Sequence, residues 1–192
     1  MKRFQFRDRT YPYFDHPYNH TATNERAVEV PIVTAVLQAA SGRVLEIGNV
    51  LGHYGFSGHT VVDKYEHAPG VTCGDIAEHQ PAAAYDLIVS ISTIEHVGWD
   101  EEIFDGGKIA RTLRHVRERL LARDGHALIT VPLGYNPFMD RLLERGDVGM
   151  DVHYLRRENS ENDWCEIALA DVGVARYDHP FPAANVLAVL ST

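Results

Sequence analysis

The sequence has little cysteine, no long apolar run and a deficit of positive charge, and each shortage removes a class of function. Its two cysteines, Cys73 and Cys165, lie far apart with no CxxC pair, which excludes a disulfide framework. They read as buried free thiols in a reducing compartment, and the cytoplasm is the expected location. No apolar stretch approaches the roughly 20 residues that a membrane-spanning helix needs. The N-terminal Met1-Lys-Arg-Phe-Gln-Phe-Arg-Asp has early basic residues but no apolar segment behind them, so a secretory signal is not expected. Lys and Arg number 18 against 27 Asp and Glu, for a net charge of −9. A nucleic-acid partner is therefore disfavoured, since such binding rests on clustered cations. The 11 histidines are scattered. His16 and His20 have i,i+4 spacing, but Pro17 interrupts them and no HExxH occurs, so no metal site is expected.

What is present reads as a single α/β domain over residues 1–192, with ordinary hydrophobic (45%) and charged (23%) content. Residues 1–23, aromatic but without a clean period and broken by Pro12 and Pro17, read as an irregular arm or lid. Residues 24–40 carry an i,i+4 stripe of Val28, Ile32, Val36 and Ala40, with Asn24 as its cap; Pro31 predicts a kink or a split. From Gly42 strands and helices alternate, the pattern of a parallel sheet. Strands are expected at Val44–Gly48, Thr60–Asp63, Val71–Asp75, Tyr85–Ser92 and His126–Leu133. An amphipathic helix over Lys108–Arg123 should stop at Asp124-Gly125. Beyond it, Pro137–Arg145 reads as a helix, Val152–Arg157 as extended and Asp163–Asp171 as a helix. Val174–Tyr177 and Asn185–Leu190, joined by a short turn-rich link, read as an antiparallel hairpin. The expected fold is a Rossmann-like three-layer sandwich on a mostly parallel seven-stranded sheet.

The densest stretch is Arg43-Val-Leu-Glu46-Ile-Gly48-Asn49-Val50-Leu-Gly52-His53-Tyr54, a short strand holding an acid and running into a glycine turn. In an open parallel sheet the ligand sits beyond the carboxyl ends of the strands. A dinucleotide fingerprint would need glycine where Val50 and His53 stand, which weakens a nicotinamide reading. Acid-x-Gly-x-x-x-Gly in this context resembles the first motif of class I S-adenosylmethionine-dependent methyltransferases, with Val50 in the middle glycine's place. The resemblance covers roughly residues 42–134. It implies S-adenosyl-L-methionine as cofactor and assigns to it Glu46, Gly48, Asn49 and Gly52. It adds Asp63 and Lys64 at the end of the second strand for the ribose hydroxyls, Asp75 and Ile76 near the adenine, and Ser92 after the fourth strand. A β-branched Val50 does not easily take a positive φ, so the turn is expected to follow another path or to bind more weakly.

Methyl transfer also needs a positioned nucleophile and sometimes a base. Glu95 and His96 follow the fourth strand and are the catalytic candidates, with His96 preferred as base because imidazole titrates near neutrality. Tyr18, Asn19, Arg26, His53, Tyr54, Tyr135 and Asn136 are candidates for the acceptor pocket. No Asp/Asn-Pro-Pro-Tyr run follows the fourth strand, which argues against methylation of nucleic-acid bases. The expected substrate is a hydroxyl or amine of a small polar molecule, such as a sugar or natural product. A non-catalytic Rossmann-like binding domain and a nicotinamide-dependent oxidoreductase are the alternatives.

Overall fold

The computed structural model describes residues 2–192, so Met1 of the arm lies outside it. An eight-stranded sheet forms the frame, in the order β5-β4-β3-β6-β7-β10-β8-β9. Its parallel half is β3 (Val44–Ile47), β4 (Thr60–Asp63), β5 (Val71–Cys73), β6 (Tyr85–Ile91) and β7 (Leu121–Pro132). The chain leaves β3 for β4 and β5, then returns past β3 to β6 and β7. That reversal opens a crevice at the carboxyl ends of β3 and β6.

Side chains alternate across the pleat. Leu45, Ile47 and Ile88 enter one core with Ile109 and Leu113 of α2 (Lys108–His115) and Met139 and Leu143 of α3 (Pro137–Arg145). Leu87, Val89 and Ile91 enter the other with Val28, Ile32 and Val33 of α1 (Arg26–Ala39). The three layers are as expected.

Several elements differ from the sequence reading. The arm is not irregular: β1 (Arg3–Phe6) and β2 (Arg9–Pro12) form a hairpin whose Phe4 and Phe6 are buried in the second core. α1 runs through Pro31 unbroken. Proline cannot donate to the carbonyl four residues back, and the arm makes up the loss: Phe14 N–H donates to the Ala27 carbonyl at 2.9 Å. α2 widens into a π-helical turn at Val116–Leu120 and passes directly into β7, so Asp124-Gly125 lies in the strand rather than stopping a helix. The segment read as a helix over Asp163–Asp171 is instead strand β9 (Trp164–Ile167) followed by a short turn at Leu169–Asp171. Val174–Tyr177 is not a sheet strand; Arg176 makes one isolated bridge to His179. The last strand, β10 (Val186–Ser191), lies between β7 and β8 (Asp151–Arg157), antiparallel to both. The antiparallel partners are thus β7 and β8, and the sheet has eight strands rather than seven. Both thiols are free, and Cys73 is exposed rather than buried.

Candidate functional site

Gly48 ends β3 with φ +84°, and a Cβ there would lie 2.3 Å from Thr93 Oγ1. Glycine is required on both counts. No α-helix follows: the chain makes one tight turn at Leu51–Tyr54 and reverses at Gly55. Val50 sits at φ −91°, ψ −47°, in the right-handed region open to any residue. The missing middle glycine therefore leaves no backbone strain, because this turn follows another path. Glu46, fully buried, fixes that path by accepting the Val50 and Leu51 N–H groups at 2.9 and 2.7 Å. Its other oxygen lies 2.7 Å from His59 Nε2. Glu46, Asn49 and Gly52 thus shape the turn. A Cβ on Gly52 would come within 2.4 Å of Asn49 Oδ1.

A cavity of about 320 Å³ opens in the crevice, lined by Gly48, Asp63, Lys64, Asp75, Ile76 and Ser92 among the expected residues, together with His96. Thr93, Tyr65, Asp100 and Glu101 also line it. Asp63 Oδ1 accepts the Tyr65 and Glu66 N–H groups, both at 2.8 Å, and Oδ2 accepts Asn49 N–H at 3.2 Å. A carboxylate has about four acceptor positions. Asp63 therefore keeps one acceptor position unfilled, at the place where the resemblance implies contact with the ribose hydroxyls.

Asp75 is held by cations. Lys64 Nζ and Lys108 Nζ donate to its Oδ2 at 2.9 and 2.5 Å, and the same lysines reach Glu101 at 2.7 and 2.5 Å. Burial alone would raise Asp75, but the lysine hydrogen bonds outweigh it and hold the carboxyl down at about 2. Burial likewise opposes the charge on Lys64, and Glu101 with Asp75 overrides it upward. Because the folded-state pKa of Asp75 lies below its ordinary 3.8, its contribution to stability is complete above that value. The contribution is lost as pH falls from about 4 to about 2. Discounted for solvent screening, it is on the order of 1 kcal/mol. Urea unfolding at successive pH values should show this slope, and Lys108→Met should flatten it.

Ser92 has φ +35° and donates from Oγ to Glu29 Oε1 at 2.5 Å. Glu29, fully buried on α1, also accepts from Thr130 Oγ1 at 2.6 Å and pairs with Arg26. Arg26 is thereby a buried counter-ion rather than an open acceptor contact. Asn136 is structural too: it caps α3 through Phe138 N–H at 2.9 Å and donates to the Glu95 carbonyl at 2.7 Å. Tyr18 stacks on His53 with centroids 4.6 Å apart and meets Tyr54 edge-on, while Tyr54 also packs against Phe14. The arm thus lies on the glycine turn. Asn19, at φ +58°, accepts from Asn24 Nδ2 through its carbonyl at 2.8 Å. None of the seven acceptor candidates lines the crevice cavity itself.

The two catalytic candidates have different surroundings. Glu95 is 1% exposed and its Oε2 has no hydrogen-bond partner among the described residues. Burial pushes its carboxyl well above the usual range and the Glu29 charge adds to this, against Arg26. His96 stands at the cavity wall with Nδ1 2.5 Å from Asp100 Oδ2 and Nε2 3.8 Å from Glu95 Oε1. Asp100, Glu29, Lys108 and Glu101 were missed from the sequence. Only Asp100, at i,i+4 from His96, left a local signal.

No protein-family model and no curated protein matches the sequence. Among solved structures the chain is similar to the N-methyltransferase NodS from Bradyrhizobium japonicum WM9 in complex with S-adenosyl-L-homocysteine. Identity is 15%, coverage is 93% of this chain and 89% of that one, and the TM-score is 0.52. The glycopeptide N-methyltransferase MtfA complexed with sinefungin gives 12% identity, 94% and 99% coverage and a TM-score of 0.48. A TehB-like SAM-dependent methyltransferase from Corynebacterium glutamicum ATCC 13032 gives 19%, 83% and 85%, and 0.44. At these identities the likeness is one of fold, and of these three NodS carries it. The reversal of strand order at β3, the glycine turn and the antiparallel insertion of β10 agree with it: this chain has the Rossmann-like fold of the class I S-adenosylmethionine-dependent methyltransferases.

Proposed function

We propose that this protein transfers a methyl group from S-adenosylmethionine to a hydroxyl or amine of a small polar molecule. One observation carries the reading: a single cavity at the carboxyl ends of the parallel strands is lined by Gly48, Asp63, Asp75 and Ile76, with His96 in the same wall. The residues fit the cofactor chemically. Asp63 keeps an acceptor position for a hydroxyl, Asp75 Oδ1 accepts only Ala77 N–H, and Ile47, Val62, Ile76 and Val97 offer apolar walls to a planar base. When bound, S-adenosylmethionine supplies a methyl group on a sulfonium. The chain's own task is to position and to manage a proton. Ser92, held by Glu29, shapes the wall, and His96 is the group placed to hold the acceptor's proton. The fold likeness to NodS, a protein described with S-adenosyl-L-homocysteine bound, supports the choice of cofactor. The acidic balance favours a small acceptor over nucleic acid, in the cytoplasm.

Calorimetry is the test. S-adenosylhomocysteine should bind in the micromolar range, while reduced nicotinamide dinucleotide should give no fluorescence change on titration. Binding of the dinucleotide and not of the thioether would establish the oxidoreductase instead. Binding of neither would leave a domain without this chemistry.

A further inference from the structure

We infer that Asp100, seconded by Tyr135, is a positioning residue that fixes His96 in the tautomer with its proton on Nδ1, leaving the Nε2 lone pair free to receive an acceptor's proton. The inference rests on the methyl-transfer reading for its purpose but not for its geometry. Asp100 Oδ2 lies 2.5 Å from His96 Nδ1 and 2.5 Å from the Tyr135 hydroxyl. A carboxylate oxygen and a bare imidazole nitrogen are both acceptors and would repel at that separation, so the nitrogen must carry hydrogen. The hydroxyl lies 3.2 Å from the same Nδ1 and is the second donor to the carboxylate. Burial, and then Asp100 itself, raise the Tyr135 phenol above its ordinary value, so it keeps its proton and continues to donate.

The surroundings enforce the arrangement. The Tyr135 ring meets His96 edge-on at 4.9 Å and is itself braced edge-on by Tyr177 at 5.0 Å. Asp100 N–H donates back to the His96 carbonyl at 3.1 Å, which keeps the carboxylate one turn from the ring it orients. Three groups from two segments therefore face the imidazole: Asp100 and Glu95 from its own turn and Tyr135 after β7, with Tyr177 braced behind Tyr135. Glu95 Oε1, 3.8 Å from Nε2, is beyond hydrogen-bond reach and leaves that nitrogen available. His96 and Asp100 both line the cavity, so the imidazole stands in the wall that an acceptor would share with the cofactor.

The test reads the tautomer directly, by nitrogen-15 NMR of imidazole-labelled full-length protein saturated with S-adenosylhomocysteine. The wild type should show Nδ1 protonated and Nε2 bare. Asp100→Leu removes the carboxylate and leaves the Tyr135 hydroxyl to donate to Nδ1, which should transfer the proton to Nε2. Tyr135→Phe should leave Nδ1 protonated, with Asp100 still the acceptor. Thioether affinity should stay within about twofold in Tyr135→Phe, since Tyr135 does not line the cavity. An Nε2-protonated wild type, or an unchanged tautomer in Asp100→Leu, overturns the inference. The wild-type spectrum decides even if Asp100→Leu fails to fold. Loss of thioether binding in the wild type would count against the cofactor and leave the tautomer result standing.

Discussion

Asp63→Ala is expected to weaken S-adenosylhomocysteine binding by an order of magnitude or more, measured by calorimetry. Asp63 lines the cavity and retains one acceptor position beyond the three backbone N–H groups it already serves. A hydrogen bond from a ligand hydroxyl to a charged acceptor is worth about 1.5–3 kcal/mol, and each 1.4 kcal/mol is about tenfold in affinity. The substitution also releases the Asn49, Tyr65 and Glu66 amides, which loosens the loops on both sides of the site. Asp63→Asn separates the two effects. Its amide oxygen can still hold Tyr65 and Glu66, while its nitrogen turns a donor toward Asn49 N–H and loses the charge. If affinity falls in Asp63→Asn with the thermal midpoint nearly unchanged, the carboxylate contacts the ligand. Affinity within twofold of wild type in both variants would reduce Asp63 to a loop brace.

Arg26→Met is expected to cost about 3–5 kcal/mol of stability, the usual penalty for stranding a buried charge. A domain holds only about 5–15 kcal/mol in all, so the variant should stand at the edge of unfolding. Arg26 faces Glu29 directly, and Glu25 and Glu95 also bear on it. Burial lowers the guanidinium and these carboxylates more than restore it, while Glu25 and Glu95 are themselves pushed upward by burial and by Glu29. Without the arginine, three acids share one dry region, and the remaining cation, Arg157, bears on Glu25 alone. Glu29→Gln added to Arg26→Met should recover much of the loss, because a neutral amide oxygen still accepts from Ser92 and Thr130. Urea unfolding of the four proteins in the cycle measures the coupling. A single Arg26→Met variant within 1 kcal/mol of wild type would show that the pair is hydrated in solution.

Much of the frame was legible because local rules and tertiary packing agree there. Tyr85–Ile91 is buried on both faces from Leu87 onward, as a central parallel strand must be. Pro137–Arg145 carries its own start and stop signals: Asn136 as cap, proline in the first turn and Gly146 in the left-handed region after it. The misses have physical reasons. Phe4 and Phe6 alternate as a strand should, but the brevity of the hairpin hid the period. Trp164-Cys-Glu-Ile is four residues long without a clean alternation, and polar residues surround it. The pairing of β10 followed topology rather than proximity in sequence, since the strand inserts between two that were already laid down. Within the site, residues that shape the cavity from their own strand ends were readable, including Gly48, Asp63 and Asp75. Contacts spanning long stretches of chain, such as Glu29 to Ser92 and Lys108 to Asp75, leave no local trace.

The bond between Phe14 N–H and the carbonyl that Pro31 leaves open is a joint made entirely of main chain. Such a joint does not depend on which side chain stands at position 14, provided it is not proline. The segment around it is therefore free to drift in sequence while its anchorage to α1 stays constant.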